Sequence, residues 1–202
     1  MKTLFNNLLK TGSLALILLA SVFTLNASAA TVTVDMGHGT PDIKKVIVTG
    51  STRVILVQSD KEFVTMDSLD MKNVAVTQLG SALTINSNES NPVTVTVYVK
   101  NPYRIDASGK SDVKTQGKFN LVNLQVILKD DATARVKATT GSIYTVINDR
   151  ANLQLIGTTG KHVYQTADVA KMNTAKFAAV QTQNVSIHTE AVALNVKGRS
   201  NK

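Results

Sequence analysis

Apolar and polar residues alternate along most of this 202-residue chain. The stretch "PVTVTVYV", which ends at Val99, places its valines on one side of an extended backbone and its threonines and tyrosine on the other. A period of two predicts a half-buried β-strand. "ATVTVD", "KKVIVTG", "TRVILVQ" and "NVAVTQ" carry the same pattern and predict further strands.

Composition supports an all-β chain. Valine, isoleucine and threonine make up 55 of residues 30–202, and their branched side chains fit a pleated strand better than a helix. The alanine-rich segment 169–180 has no apolar stripe of period 3.6, so we expect no substantial helix there. No proline follows Pro102, which leaves the second half free for uninterrupted strand pairing.

A degenerate unit recurs in that second half. Aligned on a bulky apolar sixth residue, its copies are 108–113, 131–136, 148–153, 167–172 and 189–194, and they start 23, 17, 19 and 22 residues apart. Segments 49–54 and 78–83 are looser copies. Units of about 20 residues with short strands and polar turns are typical of β-solenoids, whose coils stack on one another.

The unit predicts which side chains face inward. Its fourth, sixth and eighth residues share the inner face, and its fifth and seventh residues point outward. We therefore expect one internal column of sixth residues and an outward contact between Asp112 and Arg135. The expected column is Val113, Val136, Leu153, Met172 and Leu194. The alternative fold is an antiparallel β-sandwich, which predicts no common phase among the repeats.

The N-terminal residues predict export. Lys2 and Lys10 precede an apolar run over 14–22, which is followed by Ala27-Ser28-Ala29, an order typical of a secretory signal peptide. We assign residues 1–29 to that peptide and 30–202 to a single domain. The apolar run is shorter than the roughly 20 residues of a membrane-spanning helix. The chain contains no cysteine, so neither a disulfide nor a lipid-modified cysteine is expected.

Residues 30–202 carry 20 basic and 14 acidic side chains, a net charge of +6. Such a charge favours anionic partners such as polysaccharide or phospholipid. The basic residues are scattered, apart from Lys44-Lys45 and the tail Lys197, Arg199 and Lys202, which is more typical of an ordinary solvated surface. Without an aromatic-interleaved basic stripe, and with export predicted, nucleic acid is not an expected partner.

Several segments together resemble a known family. They are "VIVTGSTRVILVQSD", "LGSALTIN", "VTVTVYV", "IDASGKSDV" and the repeats up to "ALNVKG", spanning about residues 43–198. In this order they resemble the head GIN domain of bacterial autotransporter adhesins. The resemblance implies an exported protein of Bacteroidota type with a right-handed stacked-β architecture and no established enzymatic activity. Together with the repeats, it predicts a right-handed parallel β-helix-like solenoid of about five to seven coils. The family's Ser-Gly turn is kept at Ser108-Gly109, and we match the later copies' Ala132, Asp149, Asp168 and Glu190 to that glycine.

The sequence shows no motif for catalysis or metal binding. His38, His162 and His188 lack metal-site spacing and are expected to be surface residues. No G-x-S-x-G elbow, phosphate-binding loop or calcium-hand spacing occurs. There is no tryptophan, and Tyr144 and Tyr164, one unit apart, are expected to fill a packed face more than to form an exposed strip. We assign no catalytic, cofactor-binding or metal-ligating residue, and no cofactor.

These observations predict an exported, non-catalytic structural or adhesin-like protein of the periplasm, cell surface or exterior. The alternative is a carbohydrate-binding or carbohydrate-cleaving β-helix protein. The expected partner is an anionic surface polysaccharide or an envelope protein. The ends of a stacked sheet also allow self-association unless 30–42 and 197–202 cap them. Asp67-Ser68-Leu69 matches a short O-glycosylation pattern of Bacteroidota periplasmic proteins, which predicts a glycan on Ser68.

Overall fold

The computed structural model describes residues 30–35, 40–167 and 169–185. Within these residues the chain is all-β, as the alternation predicted, with one 3₁₀ turn at Met71–Asn73 and no α-helix. The alanine-rich segment 169–180 lies largely in the last strand, so the expectation of no helix there is confirmed. The strands are β1 (Thr31–Asp35), β2 (Lys45–Gly50), β3 (Thr52–Gln58), β4 (Phe63–Asp67), β5 (Ala75–Leu79), β6 (Ala82–Ser87), β7 (Val93–Val99), β8 (Arg104–Ala107), β9 (Asp112–Gln116), β10 (Phe119–Leu128), β11 (Thr133–Ile147), β12 (Asn152–Thr166) and β13 (Lys171–Asn184).

The strands form one curled, mixed sheet. Its order is β1-β4-β7-β3-β9-β11-β10-β8-β2-β6-β5, and β12 and β13 follow β11. Among the described strands, β1–β4, β4–β7 and β5–β6 pair antiparallel, whereas the pairs from β8 to β13 are parallel. The parallel pairs place equivalent residues of successive units side by side, unlike a sandwich of antiparallel strands. That the coils wind in a right-handed sense stays a prediction.

Each described unit of the second half makes one turn of the stack. β8 leads through a short turn into β9, and β10 leads in the same way into β11. The first half of β11 pairs with β9 and its second half pairs with β10, so the long strand passes from one side of the molecule to another. β12 lies along the full length of β11, and β13 lies along β12.

The described residues of the predicted internal column face inward as expected, but one of them belongs to the neighbouring inward column. Val113 pairs with Ala134, Ala134 with Leu153, and Leu153 with Met172. Val136 lies one inward position further along, beside Leu155. The copy at 131–136 was therefore placed two residues too late, because the alignment chose a bulky residue where the column has an alanine. Leu194 lies outside the described residues.

Predicted inward positions are buried in the described coils. The fourth, sixth and eighth residues of the first three units are all buried, whereas Met172 of the last described coil is partly buried against the core. Small and large side chains alternate down the interior, as close packing of a narrow core requires. The buried residues of this alternation are Ser111, Val113, Thr115, Ala134, Val136, Ala138, Ala151, Leu153 and Leu155.

The order of the stack differs from the order of the chain. Val54 pairs with Val113, so the looser copy at 49–54 is in the predicted register. On its other side Val54 pairs with Val95 of β7, and β6 pairs with β2. Segment 82–99 therefore lies beyond segment 45–58, not between it and β8. The copy at 78–83 is wrong, because Leu83 pairs with Val46 on a different side of the molecule.

The valines of β7 confirm the alternation directly. All four are buried, while Thr94, Thr96 and Tyr98 are half-buried on the other face. The N-terminal segment 1–29 lies outside the described residues, so the signal peptide and the single-domain assignment stay predictions. Among the residues with described coordinates, no helix has the length and apolar character needed to span a membrane.

Candidate functional site

The turns between coils stack on one another through positive-φ residues. Gly109, Asp130 and Asp149 have φ of 72°, 59° and 55°. The backbone N–H of Gly109 donates to Asp130 Oδ2 at 2.8 Å, and the N–H of Asp130 donates to Asp149 Oδ2 at 3.0 Å. Asp130, not Ala132, therefore takes the place of Gly109, which corrects the matched turn residue as well as the register. Aspartate tolerates the left-handed region better than most side chains.

An ion pair joins two of these turns on the surface. Arg150 donates from Nε and from a terminal nitrogen to the two carboxylate oxygens of Asp131, at 2.7 and 2.9 Å. The hydrogen bond from the Arg150 guanidinium holds the pKa of Asp131 below its ordinary value. These aspartates are used by the turns themselves, which leaves them a structural role.

The outward face of β3, β9, β11, β12 and β13 carries rows of polar side chains. We call two neighbouring rows, defined next, the polar ladder. The first row is Arg53, Asp112, Thr133, Asn152 and Lys171. The second row is Lys114, Arg135, Gln154 and Asn173, with the apolar Ile55 at its β3 end. The outward orientation was predicted correctly, but the two-residue shift changes the neighbours.

The predicted contact between Asp112 and Arg135 is wrong in this register. Asp112 is opposite Thr133, and its carboxylate pairs with Arg53 Nε at 3.4 Å. Arg135 is opposite Lys114 instead. Two cations thus stand side by side on neighbouring strands, which are about 4.8 Å apart in a sheet. Like charges in this arrangement repel each other.

The polar ladder borders an open groove of about 420 Å³. Its lining is formed by Asp112, Lys114, Thr133, Ala134, Arg135, Asn152, Gln154 and Asn173. Lys114 and Arg135 are exposed, and neither has an ion-pair partner within the described part of the chain. These cations are scattered in the sequence because 21 residues separate them, and the pairing of β9 with β11 brings them together.

Both lysines of the pair near the start of the domain already contact a carboxylate. Lys45 Nζ lies 2.8 Å from Asp106, and Lys44 Nζ lies 3.7 Å from Asp42. Lys100 also contacts Asp42, at 2.8 Å, and its hydrogen bond lowers the pKa of that carboxyl group. The basic dipeptide that stood out in the sequence is therefore the poorer candidate for binding an anion.

His162 is buried, with 2% of its surface exposed, so the expectation of a surface histidine is wrong for this residue. Its Nε2 lies 3.0 Å from Thr145 Oγ1, and Tyr164 and Phe177 contact the ring. Burial lowers the pKa of the imidazole. Together with Met172 these aromatic residues border a pocket of about 160 Å³.

The other histidines, His38 and His188, lie outside the described residues. Within 30–35, 40–167 and 169–185, no group of three histidine, aspartate or glutamate side chains is arranged to hold a metal ion.

The tyrosines are divided between faces. Tyr164 pairs with Thr145 and faces inward beside His162, whereas Tyr144 pairs with Val163 on the outside. The two rings therefore form no common strip. Tyr144 instead borders an open groove of about 490 Å³ that it shares with Tyr103, Asn123, Gln125 and Lys161.

Ser68, the predicted glycosylation residue, lies in a turn after β4. It is half-buried, its backbone N–H donates to Ala30 O at 2.8 Å, and the N–H of Leu69 donates to Asp67 Oδ1 at 2.9 Å. The glycan stays a prediction.

Comparison with known proteins gives a family and a fold. The family model described as "Putative auto-transporter adhesin, head GIN domain" matches residues 42–198. No protein of curated function matches the chain in sequence. A crystal structure described as a putative adhesin of Parabacteroides distasonis is 15% identical with a TM-score of 0.57, and the match covers 78% of this chain and 77% of that one. A putative adhesin of Parabacteroides merdae is 12% identical with a TM-score of 0.55, over 78% of this chain and 77% of that one. A putative lipid binding protein of P. distasonis is 11% identical with a TM-score of 0.53, over 78% of each chain. At these identities the likeness concerns the fold.

Proposed function

Because the chain belongs to the head GIN domain family, we propose that it is an exported, non-catalytic adhesin-like protein of the cell envelope. The observation that carries the proposal is the polar ladder. Its side chains stand in straight outward rows on successive coils, so the surface offers repeated contacts at the spacing of the strands. Adhesion uses such an extended surface, whereas catalysis needs groups that converge on one reacting atom.

The polar groups near the grooves support this assignment. Arg53 and Asp112 neutralise each other, and the aspartates of the turns accept backbone hydrogen bonds. The buried His162 is hydrogen-bonded to a threonine hydroxyl and surrounded by apolar rings. A nucleophile and its general base must lie within reach of a substrate. Thr145 and His162 are both buried, and the turn aspartates already accept backbone hydrogen bonds, so these arrangements favour structural roles.

A binding and turnover experiment tests the proposal. Purified residues 30–202, coupled to beads, are applied to immobilised polysaccharides, envelope proteins and fixed bacterial cells, and the polysaccharides are then assayed for new reducing ends. We expect retention on at least one of these surfaces without cleavage. Release of reducing ends, or beads that no surface retains, would overturn the proposal.

A carbohydrate-binding function is a second candidate, favoured by the groove beside Tyr103 and Tyr144. Tyr103 is 46% exposed, and amide and lysine side chains line the same groove. Sugars stack on aromatic faces and hydrogen-bond to such polar groups. This candidate predicts binding to neutral glycans that Tyr144→Ala weakens and that substitutions in the polar ladder leave intact. Neutral-glycan binding that Tyr144→Ala leaves unchanged would contradict it.

A further inference from the structure

We infer that the polar ladder binds a linear anionic polysaccharide, with Lys114 and Arg135 as the central contacts to its carboxylate or sulfate groups. The inference rests on the proposed function and names the chemical class of the partner. Three features of the described residues support it. They are two adjacent cations without an ion-pair partner, an excess of positive charge on one face, and uncharged hydrogen-bonding side chains that continue the same rows.

The cation pair is the first feature. Lys114 and Arg135 are direct neighbours across β9 and β11 and both point outward. Cross-strand neighbours of like charge destabilise a sheet, and no carboxylate of the described residues forms an ion pair with either side chain. An anion bound to both side chains would remove the repulsion and form charge-assisted hydrogen bonds with the guanidinium fork.

The second feature is the charge of the whole face. On the polar ladder and the next row along the strands, the outward cations are Arg53, Lys114, Arg135, Lys137, Lys171 and Lys176. Asp112 is the one carboxylate on the strands β3, β9, β11, β12 and β13. Because Asp112 already pairs with Arg53, the other cations are left for a partner. A field of one sign attracts an oppositely charged polymer from a distance.

The third feature is the polar continuation of the rows. Asn152, Gln154 and Asn173 border the same groove as the cation pair. Amide side chains donate and accept hydrogen bonds and suit sugar hydroxyls. The groove is open and crosses successive coils, which fits a chain of repeating sugar units better than a single small anion.

The test compares polymers that differ in charge alone. Polygalacturonate is compared with its fully methyl-esterified form, and dextran sulfate with dextran, by biolayer interferometry on purified residues 30–202. We expect binding to one or both anionic polymers and at least tenfold weaker binding to the neutral partners, an order-of-magnitude difference typical of charge-dependent association. The first pair reports carboxylates, and the second reports sulfates. Equal binding to charged and neutral forms would overturn the inference.

Variants locate the site. Lys114→Gln with Arg135→Gln is expected to weaken binding about tenfold or more and to reduce its salt dependence. The matched control, Lys61→Gln with Lys72→Gln, removes the same charge from two exposed residues away from the ladder, one in a loop and one in the 3₁₀ turn. It should change affinity less than about twofold. Equal effects of the two double variants would contradict the assigned location.

Thermal unfolding shows whether the ladder variant is folded. Removal of two repelling charges should leave its melting temperature equal to or above that of the wild type, and a lower melting temperature would contradict the repulsion on which the inference rests. If the protein adheres to other surfaces but binds neither anionic polymer, the inference fails and the proposed function stands. If nothing is bound, both fail.

Discussion

The carboxylate of Asp149 accepts a hydrogen bond from the backbone N–H of Asp130 at 3.0 Å, one coil away. Asp130 does the same for Gly109 at 2.8 Å. Each aspartate has positive φ itself, so the residue that makes the turn also fixes the turn of the preceding coil. This chain of bonds keeps successive coils in the register that aligns the polar ladder.

Substitution of Asp149 tests this bond. Asp149→Asn retains an oxygen acceptor and tolerates the left-handed region, so we expect little change in stability. Asp149→Ala loses the acceptor and strains the backbone, at a combined cost of about 1–3 kcal/mol. Asp149→Gly loses the acceptor but adopts the positive φ without strain, so its stability should lie between those of the Asn and Ala variants. Urea denaturation measures the three variants, and equal stability of the Ala and Asn variants would contradict the role of the carboxylate.

Gly157 is needed for close approach between coils. It has φ of 116°, and a Cβ there would overlap the carbonyl oxygen of Ala138 on the neighbouring strand. Gly157→Ala should therefore destabilise the protein by about 3 kcal/mol or more, in the range of severe overpacking and strain. Calorimetric melting gives the comparison with the wild type.

Gly117 provides the matched control. Its φ is 82°, but a Cβ there would have nothing within 4 Å. Gly117→Ala should cost only the backbone term, about 1–2 kcal/mol. If both alanine variants melt at the same temperature, the close approach of Ala138 to Gly157 does not contribute to the need for glycine at residue 157.

His162 makes stability depend on pH. Burial lowers the imidazole pKa in the folded protein, whereas the unfolded chain keeps the ordinary value of 6.5. The unfolded state therefore takes up a proton first as the pH falls, and folding free energy is lost below about 6.5 until the folded-state pKa is passed. Urea denaturation between pH 7.5 and 5 should show a declining free energy of unfolding.

The matched variant is His162→Gln, whose amide can still hydrogen-bond to Thr145. His38 and His188 remain in both proteins, so any difference in pH dependence belongs to residue 162. We expect the variant to lose the decline between pH 6.5 and 5. An unchanged pH profile would show that the buried imidazole does not contribute.

The sequence was sufficient for the five strands marked by alternation and for the inward faces of the units, but not for the length of β11, β12 and β13, which run 14 or 15 residues. The valines of β7 alternate without exception, and each unit's fourth, sixth and eighth residues were predicted to face inward, as those of the first three units do. The register failed at Ala134 because apolar size was used as the alignment mark and a small residue occupies that column. The turn aspartates Asp130 and Asp149 were the better mark, since a residue at positive φ must be glycine or one of the few types that tolerate it.

Other features were beyond a reading of local pattern. The position of β7 beside β3 reverses the chain order of the stack, and strand pairing over such separations leaves no local signal. The pairing of Lys114 with Arg135 depends on the same register. The burial of His162 follows from its place beside Ile143 in the interior, which cannot be known until the coil is aligned.

The coil-to-coil register is the claim on which the polar ladder depends, and the absence of cysteine from the chain allows a direct measurement. Asp112→Cys with Thr133→Cys joins residues that are opposite each other in the structure, at a strand spacing of about 4.8 Å that a disulfide can bridge. Asp112→Cys with Arg135→Cys joins residues offset by two, which places their Cα atoms about 8 Å apart, too far for a disulfide. Under mild oxidation, mass spectrometry should find the intramolecular disulfide in the first variant and free thiols in the second. The reverse result would contradict the account.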